Sequence, residues 1–233
     1  DWGLALGEGE VPIEEVNRLY GEMARRHPGR LIPFIAVDPR RPNAVELLEK
    51  GVKEWGMKGL KLHPSSGFYP NDEACFRIYR KAVELDVPVI THTGNILPPL
   101  RSKFTQPIYL DDVLIDFPQL NLISAHMGFG WWQELSFLGW RRSNMYADIS
   151  GWQRLVGNDF DTFCRALRAM LNRLGPENVM FGTDGPTLSR DFPDGDWIDL
   201  VKKLPESAPS GISFTPKEVE GILGENAKRL LRL

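Results

Sequence analysis

Short apolar runs alternate with longer amphipathic stretches along the whole chain, and this alternation restricts the fold more than any other feature of the sequence. Strand-like runs fall at 31–37, 59–63, 87–91, 121–125, 144–149 and 178–182, with a weaker one at 4–6. They are apolar on both faces and end in Gly, Pro, Asp or His. Strands read this way when a parallel sheet is covered by helices on each side. Helical periodicity predicts helices at 13–26, 44–55, 72–85, 110–117, 131–140, 160–174, 197–204 and 216–231, the last with a break near Gly221 or Gly224. Pro12 suits a first helical turn, and His27-Pro28-Gly29 stops the helix that follows it.

No hairpin signal interrupts the alternation, so the α/β class with a parallel sheet is expected. An open doubly wound sheet would carry a glycine-rich turn after its first strand. The segment 7–12, Gly-Glu-Gly-Glu-Val-Pro, lacks the third glycine of such a turn. The expected fold is therefore a (β/α)8 TIM barrel, which gathers its reactive side chains at the C-terminal ends of the strands. With 233 residues and no linker or low-complexity tract, the whole chain, 1–233, is read as one barrel domain. Seven strand-like runs fall one short of eight, so the chain is expected to begin after its first strand–helix unit.

Composition narrows the function classes. A formal net charge of −3, with dibasic pairs such as those at 25–26, 40–41 and 141–142 isolated along the chain, gives no electrostatic footprint for nucleic acid. No apolar run approaches the roughly 18 residues of a membrane span. The first residues lack the basic and apolar regions of a signal peptide. Cys75 and Cys164 show no CxxC spacing and read as buried thiols in a reducing cytoplasm. The expected partner is a small-molecule substrate, with no nucleic acid and no membrane, and a homo-oligomer is left open.

Three of the four histidines close strand-like runs. His63 ends Gly-Leu-Lys-Leu-His-Pro at 59–64, His92 ends the run within 87–94, and His126 follows Leu-Ile-Ser-Ala. Asp184 joins them in Phe-Gly-Thr-Asp-Gly-Pro at 181–186. A barrel brings such positions together, and imidazole with carboxylate suits a divalent metal: zinc first, with manganese or iron as alternatives. The fourth histidine, His27, reads as a solvated or helix-capping residue. Lys61 shares a side of its strand with His63 and serves either as an interior ion-pair partner or as a substrate-side cation. The loop at 95–108 carries Arg101, a candidate for a substrate carboxylate or a solvated charge. Phe129, Trp131 and Trp132 form either an aromatic pocket wall or core packing. The loop at 187–195 is expected to supply contacts or a lid.

Taken in order, Gly-Leu-Lys-Leu-His-Pro, Thr-His-Thr-Gly, Ala-His-Met-Gly, Phe-Gly-Thr-Asp-Gly-Pro and the closing Gly-Glu-Asn-Ala-Lys-Arg-Leu-Leu at 224–231 resemble the amidohydrolase superfamily. Within it they resemble the amidohydrolase 2 family of metal-dependent hydrolases and non-oxidative decarboxylases. The resemblance implies that His92 and Asp184 ligate the metal from strands five and eight. It implies that His126, on strand six, is an acid/base or a further ligand. Asp184 would also act as a base toward a metal-activated water, and His63 and Lys61 fall on strand four, where roles vary. The His-x-His pair that the family carries on its first strand is nowhere in this sequence. The implied enzyme is a hydrolase of a lactone, ester or cyclic amide. The alternatives are a decarboxylase of an aromatic or unsaturated acid and a metal-free barrel that binds a ligand.

Overall fold

The computed structural model describes residues 1–190 and 192–233. They group into two compact units, Asp1–Ile123 and Ser124–Leu233.

The first unit opens with two helices, α1 (Gly3–Leu6) and α2 (Ile13–Arg26), before strand β1 (Ile35–Ala36). It continues with α3 (Ala44–Glu54), β2 (Leu60–Leu62), α4 (Glu73–Glu84), β3 (Val89–His92) and α5 (Leu110–Asp116). The run at 4–6, expected as a weak strand, is helical. The Asp1 carboxylate accepts from the Gly3 N–H at 3.0 Å, and the Leu6 and Gly7 N–H groups reach the Trp2 and Gly3 carbonyls at 2.9 Å. Three apolar letters hold no usable period, and the local cap decides their conformation.

β1, β2 and β3 pair in parallel, with Ile35 opposite Leu60 and Leu60 opposite Val89. Leu60 and Leu62 are fully buried whereas Lys61 is half-buried, the two-residue alternation of a strand. Leu47 and Leu48 of α3 and Ile78 and Tyr79 of α4 fill the space beside the sheet. Burying an aliphatic side chain of this size contributes about 1.5–3 kcal/mol. Gly21 lets α2 approach Trp55, since a Cβ there would sit 2.6 Å from the Trp55 carbonyl oxygen. Asn17, also on α2 and buried, donates to the Ala36 carbonyl at 2.9 Å and accepts from the Ala36 N–H at 3.0 Å. One amide thus satisfies both polar groups that Ala36 turns away from β2, so that edge needs no further strand there.

β4 (Leu122–Ala125) spans the division between the units. The second unit then runs through α6 (Trp132–Leu138), β5 (Met145–Asp148), α7 (Gln153–Val156), α8 (Phe160–Leu174) and β6 (Val179–Met180). It ends with α9 (Asp194–Lys202), α10 (Leu204–Ser207), α11 (Pro216–Glu220) and α12 (Asn226–Leu231). β5 and β6 pair in parallel, with Ala147 opposite Val179. In α8 the buried residues Phe163, Leu167, Met170 and Leu174 follow helical spacing, and Asp159 caps the first turn through the Thr162 N–H at 3.0 Å. α9 starts at Asp194 rather than at 197, because Pro193 sets its entry and Asp194 and Asp196 complement the N-terminal dipole.

The expected break near Gly221 or Gly224 is a π-helical stretch, Gly221–Glu225, with Gly224 in an extended conformation. It carries Asn226 to the outer side of β6. There the Asn226 amide donates to the Val179 carbonyl at 2.7 Å and the Pro176 carbonyl at 2.8 Å, while the Phe181 N–H reaches the Ile222 carbonyl at 2.8 Å. Strand order in the sheet is chain order, β1 to β6, six strands among the described residues. Cys75 and Cys164 are buried and free, as expected. Among the described residues no helix is long and apolar enough to cross a membrane.

Candidate functional site

The candidate residues fall into two sets, one in each unit. In the first unit, His63 directly follows β2 and His92 ends β3, so neighbouring parallel strands deliver adjacent rings. The two imidazoles stack with centroids 4.2 Å apart and planes inclined by 14°. Trp2 meets His63 edge-on at 5.1 Å. The Ser65 hydroxyl lies 2.6 Å from His63 Nδ1. His92 is only 6% exposed, so its ring is held by packing. Lone pairs of an imidazole lie in the ring plane, and two stacked, near-parallel planes do not meet close to the rings. Ligands of one ion aim theirs at a common point. The stack therefore suits His63 as a support for the His92 ring more than as a second ligand to the same ion.

The segment after His92 forms two short 3-10 turns, Ser102–Thr105 and Pro107–Tyr109. Arg101 stands exposed before them, and its backbone N–H donates to the Ser65 carbonyl at 3.1 Å. Lys61 is half-buried in register with Ala36 and Ile90.

In the second unit the site is built on His126, which leaves β4 with φ 65°, followed by Met127 at φ 45°. Left-handed backbone at two consecutive non-glycine residues stores of order 1–3 kcal/mol each, so surrounding bonds must hold it. Asp148, the last residue of β5, accepts from the His126 N–H at 3.1 Å and the Ser150 N–H at 3.0 Å, and takes a short bond from the Ser150 hydroxyl. The Trp152 indole donates to the His126 carbonyl at 2.6 Å. On the ring, Nδ1 lies 3.0 Å from the Ser150 carbonyl and 2.8 Å from the Ser150 hydroxyl.

These bonds determine where the ring proton sits. A carbonyl oxygen only accepts, and the single Ser150 hydroxyl proton goes to Asp148, so Nδ1 carries the proton facing both oxygens. Neutral His126 then presents Nε2 as its unprotonated nitrogen. Gly151, at φ +82°, is needed beside this ring, since a Cβ there would stand 3.2 Å from Nδ1 in a backbone conformation that favours glycine.

Asp148, Ser150 and Trp152 were not among the sequence candidates. Their signal is modest: two polar residues, 148 and 150, on one side of the end of an otherwise apolar run. Of the aromatic candidates, Phe129 packs edge-on against Trp152 at 5.2 Å, while Trp131 is half-buried just before α6. Asp184 lies four residues beyond the end of β6 rather than at the strand end, and is exposed, with φ 53°. Gln153 donates to the preceding Thr183 carbonyl and anchors that turn. Of the loop at 187–195, residue 191 lies outside the described residues.

Among the described residues, no group of three or more His, Cys, Asp or Glu is arranged to hold a metal ion. Taken singly, the packed His92 imidazole and the exposed Asp184 carboxylate are each of a donor type that suits a divalent first-row ion.

A family model described as amidohydrolase matches residues 10–233. No curated protein matches the chain by sequence. Among solved structures, the chain is similar to an uncharacterised TIM-barrel protein from Bordetella bronchiseptica, at 24% identity and a TM-score of 0.74, covering 93% of this chain and 72% of that one. It is similar to a 5-carboxyvanillate decarboxylase from Sphingomonas paucimobilis, at 18% identity and a TM-score of 0.69, over 93% and 71% of the two chains. A dihydroxybenzoic acid decarboxylase from Polaromonas sp. JS666, solved with manganese and 2-nitroresorcinol, matches at 21% identity and a TM-score of 0.67, over 94% and 74%. The parallel sheet and its helices thus have the fold of TIM-barrel amidohydrolases.

Proposed function

The chain belongs to the amidohydrolase family and is a metal-dependent enzyme of that kind, and from that premise we propose that it hydrolyses a small carbonyl compound such as a lactone, ester or cyclic amide. The observation that carries the reading is the placement of the Ser150 carbonyl and hydroxyl oxygens against His126 Nδ1. With Nδ1–H held by Ser150, the neutral ring carries its acceptor lone pair on Nε2, the atom a base toward water would use. Among the described residues Asp148 bonds to Ser150 and to the His126 backbone, and it is assigned as a positioning residue.

We assign His92 and Asp184 as ligands, with His63 stacked on His92 to fix its ring; among the ions, zinc comes first and manganese or iron are the alternatives. When bound, such an ion supplies Lewis acidity toward a carbonyl oxygen and toward water. Lys61, Arg101 and Trp131 are assigned to the substrate side, and Asp184 to a second duty as a base. The place of action is proposed to be the cytoplasm.

A second reading is a carboxy-lyase, favoured by the decarboxylases among the structures that share the fold. In that case His126 would hand a proton to carbon rather than take one from water. The deciding test measures acid release from a lactone and ester panel and CO₂ release from a hydroxybenzoate panel, with purified protein supplemented with zinc or manganese. Turnover in the first panel alone supports hydrolysis, and turnover in the second alone replaces it with decarboxylation. No bound metal after supplementation, by elemental analysis, would sink both.

A further inference from the structure

Beside His63 the first unit holds a hollow of about 310 Å³. Its floor is the turn that carries Ser65, whose hydroxyl lies 2.6 Å from His63 Nδ1. Its walls include Leu6, Leu100 and Phe104, and its rim carries Arg101 and Lys103. The volume is at the small end for ligand pockets, which run from about 300 to 1,000 Å³.

The charge on the rim is one-sided. Neither Arg101 nor Lys103 forms an ion pair among the described residues, and both are exposed. Between 95 and 108 there is no Asp or Glu, in a chain whose acidic residues outnumber its basic ones, 31 to 28. Elsewhere the basic side chains commonly pair: Arg18, Arg40, Arg41, Lys50, Lys53 and Arg168 all meet carboxylates. The rim is also held in place. The Arg101 backbone bonds to Ser65, and Lys103 lies over the Phe104 ring at 4.7 Å. A guanidinium on an anchored backbone, beside an ammonium packed on an aromatic ring, above apolar walls fits a carboxylate on a compact apolar body.

We propose that this hollow is an anion subsite: it holds a carboxylate of the substrate between Arg101 and Lys103, with the apolar body along Leu6, Leu100 and Phe104 and the reacting end toward His63. The proposal rests on the enzymatic reading above and adds to it that the substrate carries an acidic group apart from the reacting carbonyl. A phosphorylated sugar fits the rim but not the walls.

The test is binding of benzoate, with benzamide as its neutral counterpart, to the full chain by ligand-observed NMR, once with zinc added and once with EDTA. The variants are Arg101→Gln/Lys103→Gln and the charge-conserving Arg101→Lys, each checked for native circular dichroism. We expect benzoate to bind with and without metal and benzamide at least tenfold more weakly. The double Gln variant should lose at least tenfold in benzoate affinity, and Arg101→Lys should lose less. Equal binding of benzoate and benzamide would overturn the proposal, as would a double variant that binds like the parent. Benzoate binding that requires zinc and ignores both substitutions would place the acid on the metal, overturning the subsite while leaving the enzymatic reading intact. Failure of that reading shows separately, as no metal uptake in the parent protein.

Discussion

Replacing Asn226 by Asp changes one atom in size and reverses the polarity that closes the outer edge of β6. The Asn226 side chain is 3% exposed, and its amide nitrogen donates to the Val179 and Pro176 carbonyls at 2.7 and 2.8 Å. Leaving a buried acceptor without its donor costs about 1–3 kcal/mol. Asn226→Ala, which takes the side-chain donor from both carbonyls, should therefore lose about 3 kcal/mol at most, allowing for some recovery by water. Asn226→Asp should lose more, about 4 kcal/mol, because a carboxylate oxygen then faces two carbonyl oxygens in a site closed to solvent. Its remaining oxygen keeps the Arg229 contact, at 3.2 Å in the parent, which offsets only part of the cost. Urea denaturation at pH 7, followed by circular dichroism, measures both losses. A native stability of about 5–15 kcal/mol leaves about 2–12 kcal/mol in Asn226→Ala and about 1–11 kcal/mol in Asn226→Asp, so both fold and both midpoints can be read. An Asn226→Asp midpoint within error of the parent, with an unchanged denaturant slope, would refute the reasoning.

Four further outcomes follow from the same geometry. Nitrogen NMR of the His126 ring at pH 8 should show Nδ1 protonated and Nε2 bare, and the reverse assignment would remove the support for its role as a base. Burial pushes the Glu218 carboxyl up, but bonds from Arg168 at 2.7 Å and the Thr215 N–H at 2.8 Å outweigh it and hold it below the ordinary carboxylate range. A depressed carboxyl adds stability above its unfolded value of about 4.3 and loses it as pH falls through the folded one, so the advantage of the parent over Glu218→Gln in urea melts should shrink from pH 6 to pH 3. Burial, with Asp161 adding to it, pushes the Cys164 thiol up to about 12, and burial raises Cys75 as well; a thiol-disulfide reagent at pH 8 should titrate both only after denaturation. His92→Ala should lower zinc content at least tenfold with the fold retained, and full metal content in that variant would remove His92 from the ligand set.

Long periodic segments were legible in the sequence because their signal is local and repeated. Helices 13–26 and 160–174 match their expected bounds, and β2 and β3 fall within the runs at 59–63 and close to 87–91. The run at 4–6 was not legible, since three residues carry no period and the Asp1 cap governs them. The ordered motifs around His63, His92, His126 and Asp184 pointed to the family, which the match over 10–233 shows.

Chain chemistry by itself thus determined the fold class, the family and the strand ends that bear the histidines, because hydrophobic period and residue type are properties of a segment. Tertiary structure alone decided what those residues do to one another. The stacking of His63 on His92, the proton on His126 Nδ1, and the bonds of Asn17 and Asn226 to strand edges each join residues at least 19 positions apart. A hydrogen bond depends on a distance of about 3 Å and an angle between its partners, and no periodicity in a single chain carries that information.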